Sequence, residues 1–204
     1  MTSSTSRAGR QLGAAVRAVA VATLVLGIGY PLATTGVAQL IAPARADGSL
    51  VEADGEAVGS ALLGQAFTDE DGDPLVQYFQ SRPSASGYDA LASGGSNLGP
   101  NSEELAGLVE ERRLAVAELE GVDVEDVPAD AVTASASGLD PDISPEYAAI
   151  QVDRVAEARG VPADAVRDLV AEHTAGRDLG FVGAPHVRVL ELNLALDQEL
   201  GQAG

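Results

Sequence analysis

Polarity divides the chain into two parts. Residues Ala18–Ala44 run for 27 positions without a charged side chain, and no other stretch does so. A helix needs about 20 apolar residues to cross the hydrocarbon core of a bilayer. Ala18–Leu26 is uniformly apolar, and Ile28, Leu32, Val37, Leu40 and Ile41 continue the run. Gly27, Gly29, Pro31 and Gly36 weaken a helix, yet such residues are commoner in membrane spans than in soluble helices. The pattern predicts a transmembrane anchor over residues 18–41. Tyr30 suits an interface, and Ala14, Ala18 and Ala22 form a small-residue face of the kind that lets membrane helices approach closely.

After the run the periods shorten. Residues 47–66 alternate around Asp54-Gly55, a hairpin signal. Residues 68–77 are acidic and loop-like, and residues 81–101 are dense in Ser, Gly, Asn and Pro, the composition of irregular backbone. Leu105, Leu108, Val109, Val116 and Leu119 keep helical spacing. They predict a helix over 102–120, with Asn101 and Glu104 as a capping box and Gly121 as its stop. An acidic link follows over 122–130, then a short strand over Val132–Ser135 and turn chemistry over 138–144. Ser144 and Pro145 open a helix whose inner face is Ala148, Val152, Val155 and Ala156, stopped by Gly160. Pro162 opens its partner, with Val166, Leu169, Val170 and His173 inward and Gly176 at the end. Residues 187–200 fit both an alternating strand and a helix, and their length favours helix. The fold class expected is α+β: one N-terminal transmembrane helix, then a single soluble domain with a small sheet and several helices.

Charge orients the anchor. Arg7, Arg10 and Arg17 precede it and only Arg45 follows closely. The positive-inside rule puts residues 1–17 in the cytoplasm and residues 46–204 outside the membrane. A cleavable signal peptide is the alternative, because Ala44-Arg45-Ala46 has the small-x-small form, although secretory apolar regions of about 7–15 residues are shorter than this one. Either way the remainder is exported. That remainder holds all 31 Asp and Glu and eight Arg, a net charge of −23, and the chain has no lysine. A phosphate backbone requires a basic face, which argues against nucleic acid. An acidic surface concentrates cations, or it serves solubility alone. Cysteine is absent too, so neither disulfides nor thiolate metal sites can form.

Several chemistries lack their residues. Without lysine there is no phosphate-binding G-x-x-x-x-G-K-[ST] loop, no Ser-x-x-Lys nucleophile and no P-type Asp-Lys-Thr-Gly phosphorylation motif. No G-x-S-x-G elbow occurs; Gly94-Gly95-Ser96-Asn97-Leu98 lacks the last glycine. His173 and His186 are the only histidines, so a Ser/His hydrolase would pair Ser96 or Ser135 with His173. Asp69, Asp71 and Asp73 resemble half of a calcium loop, but Gly72 comes too early and the pattern lacks its remainder. No catalytic or metal-ligating set is assigned. A free-standing exported binding protein, anchored or released, is the other alternative.

The polar loops carry a resemblance. Leu63-Gly64-Gln65, Tyr78-Phe79, Arg82-Pro83-Ser84-Ala85, Tyr88-Asp89-Ala90 and Ser93–Pro100 occur in that order. Thr133–Pro141, Ile143-Ser144-Pro145, Gln151-Val152, Arg154-Val155-Ala156, Arg159-Gly160, His173-Thr174 and Leu192–Asp197 follow. The ordered set, with Tyr30-Pro31-Leu32 and Thr35-Gly36 in the anchor, resembles the C-subunit family of the Kdp potassium-transporting ATPase, a bacterial membrane complex. Asp142 stands where that family usually has histidine and Arg188 where it usually has asparagine, and residues 69–76 look like a small acidic insertion.

The resemblance implies a non-catalytic, single-pass cell-membrane subunit of an ATP-driven potassium importer. Its partners would be a channel-like potassium-binding subunit, a P-type ATP-hydrolysing subunit and membrane lipid. It implies a role in assembly and stability and a chaperone-like effect that raises the ATP affinity of the hydrolysing subunit. Gln65 matches a glutamine implicated in nucleotide contact. ATP and potassium would thus be ligands of the complex. The residues expected to contact partners or to structure the loops are Arg82, Ser93, Ser96, Asn97, Ser135, Ser137, Asp140 and Asn193. Asn97 and Asp140 lie in glycine-flanked loops, where side-chain oxygens fix turns. Physical argument from the topology favours a role outside the membrane, covering or stabilising the potassium entrance, because an extracytoplasmic domain cannot reach cytoplasmic ATP.

Overall fold

In a computed structural model, which describes residues 3–201, the uncharged run lies inside one longer helix. α1 (Ser3–Ala22) passes through a π-helical segment, Thr23–Gly29, into α2 (Tyr30–Ile41). The stretch Arg7–Ile41, which contains the apolar run, is 35 residues long, or about 52 Å at 1.5 Å per residue. The helix begins well ahead of the uncharged run, so Arg7, Arg10 and Arg17 lie on it. The wide register stands directly before Pro31, which has no N–H to offer an α-helical partner. Such segments are rare and recur at functional positions in helices. Leu24, Val25, Leu26 and Ile28 are all exposed, unlike the apolar face of a soluble core helix. α3 (Pro43–Ala46) is a single turn, and Gln39 Nε2 donates to Asp47 Oδ1 at 2.6 Å. Residues 1–2 of the segment expected in the cytoplasm and residues 202–204 of the domain expected outside lie outside the described residues.

Residues 50 onward form a second compact unit. β1 (Leu50–Ala53) and β2 (Glu56–Ser60) pair antiparallel with Ala53 opposite Glu56. Asp54 (φ 53°) and Gly55 (φ 83°) make the two-residue turn that matches strand twist. A long irregular segment reaches α4 (Glu103–Glu120). Its cap is Ser102, not Asn101: Ser102 is extended and its Oγ accepts from Leu105 N–H at 3.3 Å. Both residue types can cap, and the start shifts by one. Gly121 ends the helix in the left-handed region (φ 66°).

A 3₁₀ turn, Val124–Asp126, leads to α5 (Ala129–Val132). The strand expected over Val132–Ser135 is absent. Ala131 and Val132 are buried as the end of a helical turn, which Thr133 closes by donating its hydroxyl to Ala129 O at 2.7 Å. β3 (Asp142–Ile143) follows, then the helical hairpin of α6 (Pro145–Arg159) and α7 (Ala163–Glu172). Ser144 caps α6 through Tyr147 N–H, and Gly160 (φ 66°) stops it. α7 ends at Glu172 rather than at Gly176, with His173 as its C-cap. β4 (Thr174–Ala175), β5 (His186–Arg188) and α8 (Val189–Glu199) complete the unit.

Among the described residues there are two small sheets where one was expected. The second has the order β3-β5-β4, all antiparallel. The core lies between α6, α7 and α8 and this sheet. Phe79, Ile143, Val155, Val166, Val187, Leu192 and Leu196 are almost wholly enclosed there. The α+β class holds, and the ambiguous C-terminal segment is a three-residue strand running directly into a helix.

Candidate functional site

The Ser/Gly loops expected to carry function close on one another. Gly94 N–H and Ser93 Oγ both donate to Ser137 O, at 2.8 and 3.0 Å. Ser84 Oγ donates to Gly138 O at 2.7 Å, and Ser135 N–H to Pro83 O at 3.1 Å. Gly64 N–H reaches Leu139 O at 2.9 Å. Backbones approach so closely that a Cβ on Gly64 would lie 2.4 Å from Asp140 O, and one on Gly95 2.9 Å from Ala136 O. The small residues are there because nothing larger fits between the strands of the zipper.

Arg82 and Asp140 lock its edge. Arg82 Nη1 donates to Asp140 Oδ2 at 2.7 Å and Nη2 to Thr133 O at 3.3 Å. Asp140 Oδ1 also accepts from Asp142 N–H, forming an Asx turn. Ser135 is buried, and Ser137 Oγ caps the next turn through Leu139 N–H. Asn97 adopts φ 55° and folds its amide onto Gly95 O at 3.2 Å, while Ser96 Oγ accepts from Leu98 N–H. Tyr88 donates its hydroxyl to Arg82 O, and burial pushes its pKa up to about 12.

A cleft of about 490 Å³ opens beside Arg82 and Asp140, walled by Asp130, Asp142 and Ser144 and by residues 182–186. Burial raises the Asp142 carboxyl, with Asp140 and Glu191 adding to the rise and His186 and Arg188 opposing it. His186 Nε2 is 3.8 Å from Asp142 Oδ2. Asp142 and Arg188, the two positions that depart from the resembled family, are register partners across β3 and β5.

Asn193 lies elsewhere, in the core, where it belongs to a clamp on the irregular segment 76–80. It exchanges two hydrogen bonds with the Phe79 backbone, and Gln151 does the same with Gln80. Arg154 Nη1 donates to Val76 O and Tyr78 O, and Arg159 Nε to Gln77 O. Arg159 also pairs with Asp197 at 2.8 Å and stands over the Tyr78 ring. Gln151, Arg154 and Arg159 carry part of the family resemblance, but no site role was expected of them. Their signal was present: Gln151 interrupts the apolar face of α6 between Ala148 and Val152.

Gln65 lies in a third place. Its Nε2 donates to Val58 O at 2.9 Å, at the rim of a cleft of about 390 Å³ formed with β2, Leu63 and Tyr88. No arginine lines that cleft. The hydrolase arrangement is not assembled. His173 Nδ1 faces Leu169 O at 3.0 Å, and among the described residues no hydrogen bond joins it to Ser96 or Ser135. Asp69 Oδ1 spends itself on Asp71 and Asp73 N–H groups within its own turn.

The loops are therefore a connected internal framework with exposed faces, not a constellation for bond-breaking. Comparison with known proteins agrees. Residues 12–198 match the family described as K+-transporting ATPase, c chain. The chain is 56% identical over 189 residues to the potassium-transporting ATPase KdpC subunit of Kineococcus radiotolerans, covering 92% of this chain and 93% of that one. It is 56% identical over 177 residues to the protein of the same description from Gemmatimonas aurantiaca, covering 85% of each. For that of Streptomyces coelicolor the identity is 46% over 216 residues, covering 96% of each. With a match across nearly all of its length, the chain belongs to the family of the C chain of the potassium-transporting ATPase.

Proposed function

We propose that this chain is the accessory, non-catalytic subunit of an ATP-driven potassium import complex. Its helix docks in the membrane beside the channel-like and ATP-hydrolysing subunits. Its acidic domain lies outside the membrane, where it stabilises the assembly and covers the potassium entrance. The observation that carries this reading is the helix itself: 35 residues with a long uncharged stretch and no buried position, joined to a domain whose polar loops bond chiefly to one another. Three arginines on its N-terminal half, against Arg45 alone shortly after it, favour the outward orientation.

The family resemblance also implies that the subunit raises ATP affinity, with Gln65 near the nucleotide. The Gln65 cleft does not fit a triphosphate. Its lining offers no guanidinium, and the Gln65 amide is already bonded to Val58 O, whereas phosphates are held by cations and converging N–H groups. An effect on ATP affinity would then be exerted through the assembly rather than by direct contact.

The chain has no cysteine, so Gln65→Cys gives a single label site. A membrane-impermeant maleimide added to intact spheroplasts is expected to modify it. Modification only after permeabilisation would reverse the orientation and return Gln65 to the side that holds ATP. Removing residues 1–45 should release the domain from the complex and lower potassium-stimulated ATPase activity. Full activity with a stable complex would refute the docking role of the helix.

A further inference from the structure

The connection between β4 and β5 is an arm that nothing in the domain covers. Ala175 pairs with His186, and Asp178 pairs with Val182 beyond the sheet. Asp178 O accepts from Phe181 N–H, closing a tight turn through Leu179 (φ 52°) and Gly180 (φ 82°). Both central residues are left-handed, the type I′ turn for which Asn-Gly and Asp-Gly are the favoured sequences. Here the first position is leucine, 86% exposed, followed by Phe181 at 73%. Folding supplies no reason for either. Leucine is disfavoured in that backbone region, and neither side chain touches the core. Local strain combined with wasted apolar surface is characteristic of a contact made to something else.

The surroundings select the occupant. Asp178 and Val182 of the arm share a cleft with Asp130, Asp140 and Asp142. Asp142 Oδ1 is shielded from solvent and has no hydrogen-bond partner. Arg82, the guanidinium lining that cleft, is already paired with Asp140, and His186 faces only the Oδ2 of Asp142, at 3.8 Å. A cationic side chain brought in from outside would find its counter-charge there. Lipid is a poor candidate: surface-inserting elements carry Lys and Arg beside their apolar face, and an anionic membrane repels a domain of this charge.

We propose that the β4–β5 arm is a docking finger whose Leu179 and Phe181 enter an apolar socket on a partner protein. A Lys or Arg at the rim of that socket reaches into the acidic cleft beside the arm. The proposal rests on the reading of this chain as a pump subunit, and it names the surface by which the domain grips its partner.

The test uses the full chain in its detergent-solubilised complex. Leu179→Asn places a favoured residue in the turn, so the chain alone should melt no lower than wild type. Combined with Phe181→Ser, it should speed release of the chain from the complex at least tenfold. Release at the wild-type rate would overturn the proposal. If wild-type chain is itself not retained by the pump subunits, the assignment as a subunit fails, and the docking finger with it. The chain contains no tryptophan, so Phe181→Trp gives a unique fluorophore. Its emission should shift to the blue only when the partner subunits are present. Quenching by brominated lipid in vesicles holding this chain alone would make the arm a lipid-inserting element and refute the protein socket.

Discussion

Asn193 and Phe79, 114 positions apart, are joined as two neighbouring strands would be: Phe79 N–H donates to Asn193 Oδ1 at 2.8 Å, and Asn193 Nδ2 donates to Phe79 O at 3.0 Å. The side-chain amide has the same donor and acceptor pair as a peptide group. It therefore completes the backbone of an irregular segment that has no strand beside it. Both residues are buried, so neither half of the pair can fall back on water.

Replacing Asn193 by alanine leaves the Phe79 N–H and C=O unpaired in the core. At about 1–3 kcal/mol for each orphaned group, the expected loss is about 2–6 kcal/mol. Asn193→Asp should fare no better, because it keeps the acceptor, loses the donor and buries a charge. Gln151→Ala should cost about as much through Gln80, with an added penalty from Arg154, which donates to Gln151 Oε1 at 2.9 Å. Denaturant midpoints of the full chain measure all three. A loss under about 0.5 kcal/mol for Asn193→Ala, the size of an ordinary surface substitution, would show that the clamp is dispensable.

The glycines of the zipper give a second, independent test. At Gly138, φ is +69° and a Cβ would lie 2.4 Å from Ser86 Oγ and 2.7 Å from Gly94 O. Left-handed backbone costs an L-residue about 1–2 kcal/mol, and overpacking about 1–3 more. Gly138→Ala should therefore destabilise by about 2–5 kcal/mol and expose the 81–95 loop to protease. Gly99→Ala, a position with open space and no positive φ, should be nearly silent by the same measurements. Equal effects at the two sites would mean that the close approach does not govern the loops.

Local features of this fold were legible in the sequence, and the long-range ones were not. The Asp54-Gly55 hairpin, the Ser144 cap and the Gly160 stop each depend on a few consecutive residues, and each formed where the pattern put it. Val132–Ser135 misled because Ala131 and Val132 are buried as a helical turn, and two apolar residues cannot distinguish the two periods. The loop residues Arg82, Ser93, Ser135, Ser137 and Asp140 do assemble, while Gln65 and Asn193 belong to other places. Gln151 and Arg154 are among the residues that carry the resemblance, but their clamp was not legible because their partners lie 71 to 78 positions away. Only the oddity of a glutamine in an apolar stripe hinted at it. The facing of Asp142 and Arg188 required the register of β3 on β5, which no local pattern encodes.

Alkaline titration should separate the tyrosines. Burial raises the Tyr88 phenol to about 12 and raises Tyr147 further, while Tyr78 is raised by burial and by its hydrogen bond to Asp197. In the unfolded chain all three ionise near the ordinary value of about 10. Between about pH 10 and 12 the folded state thus holds more protons than the unfolded state, and stability must fall as pH rises through that window. Phenolate absorbance should show these residues titrating late, together with unfolding. Tyr88→Phe should make the loss of stability with pH shallower. A single native-state step near pH 10 for every tyrosine would contradict the burial described.

Glu120 and Arg154 give the last prediction. Their ion pair, at 2.8 Å, is almost completely enclosed, with side-chain exposures of 0% and 8%. Glu120 Oε1 has no hydrogen-bond partner, so desolvation outweighs the pull of Arg154 and the carboxyl titrates above its usual value. A raised folded-state pKa means that the folded chain binds this proton more firmly than the unfolded chain does. The stability it contributes is full below the unfolded value of about 4.5 and is lost as pH rises through the folded value. Glu120→Gln removes that titration. The stability of wild type relative to Glu120→Gln should therefore grow as pH is lowered from about 7 towards 4.5, read as the difference between their melting temperatures. At neutral pH, Glu120→Ala should cost about 3–5 kcal/mol, because Arg154 is left buried without a counter-charge. Glu120→Gln should cost less, since its amide oxygen can still accept from Arg154 Nε. A wild-type advantage that shrinks on acidification would mean that the arginine, not desolvation, sets the charge state of this pair.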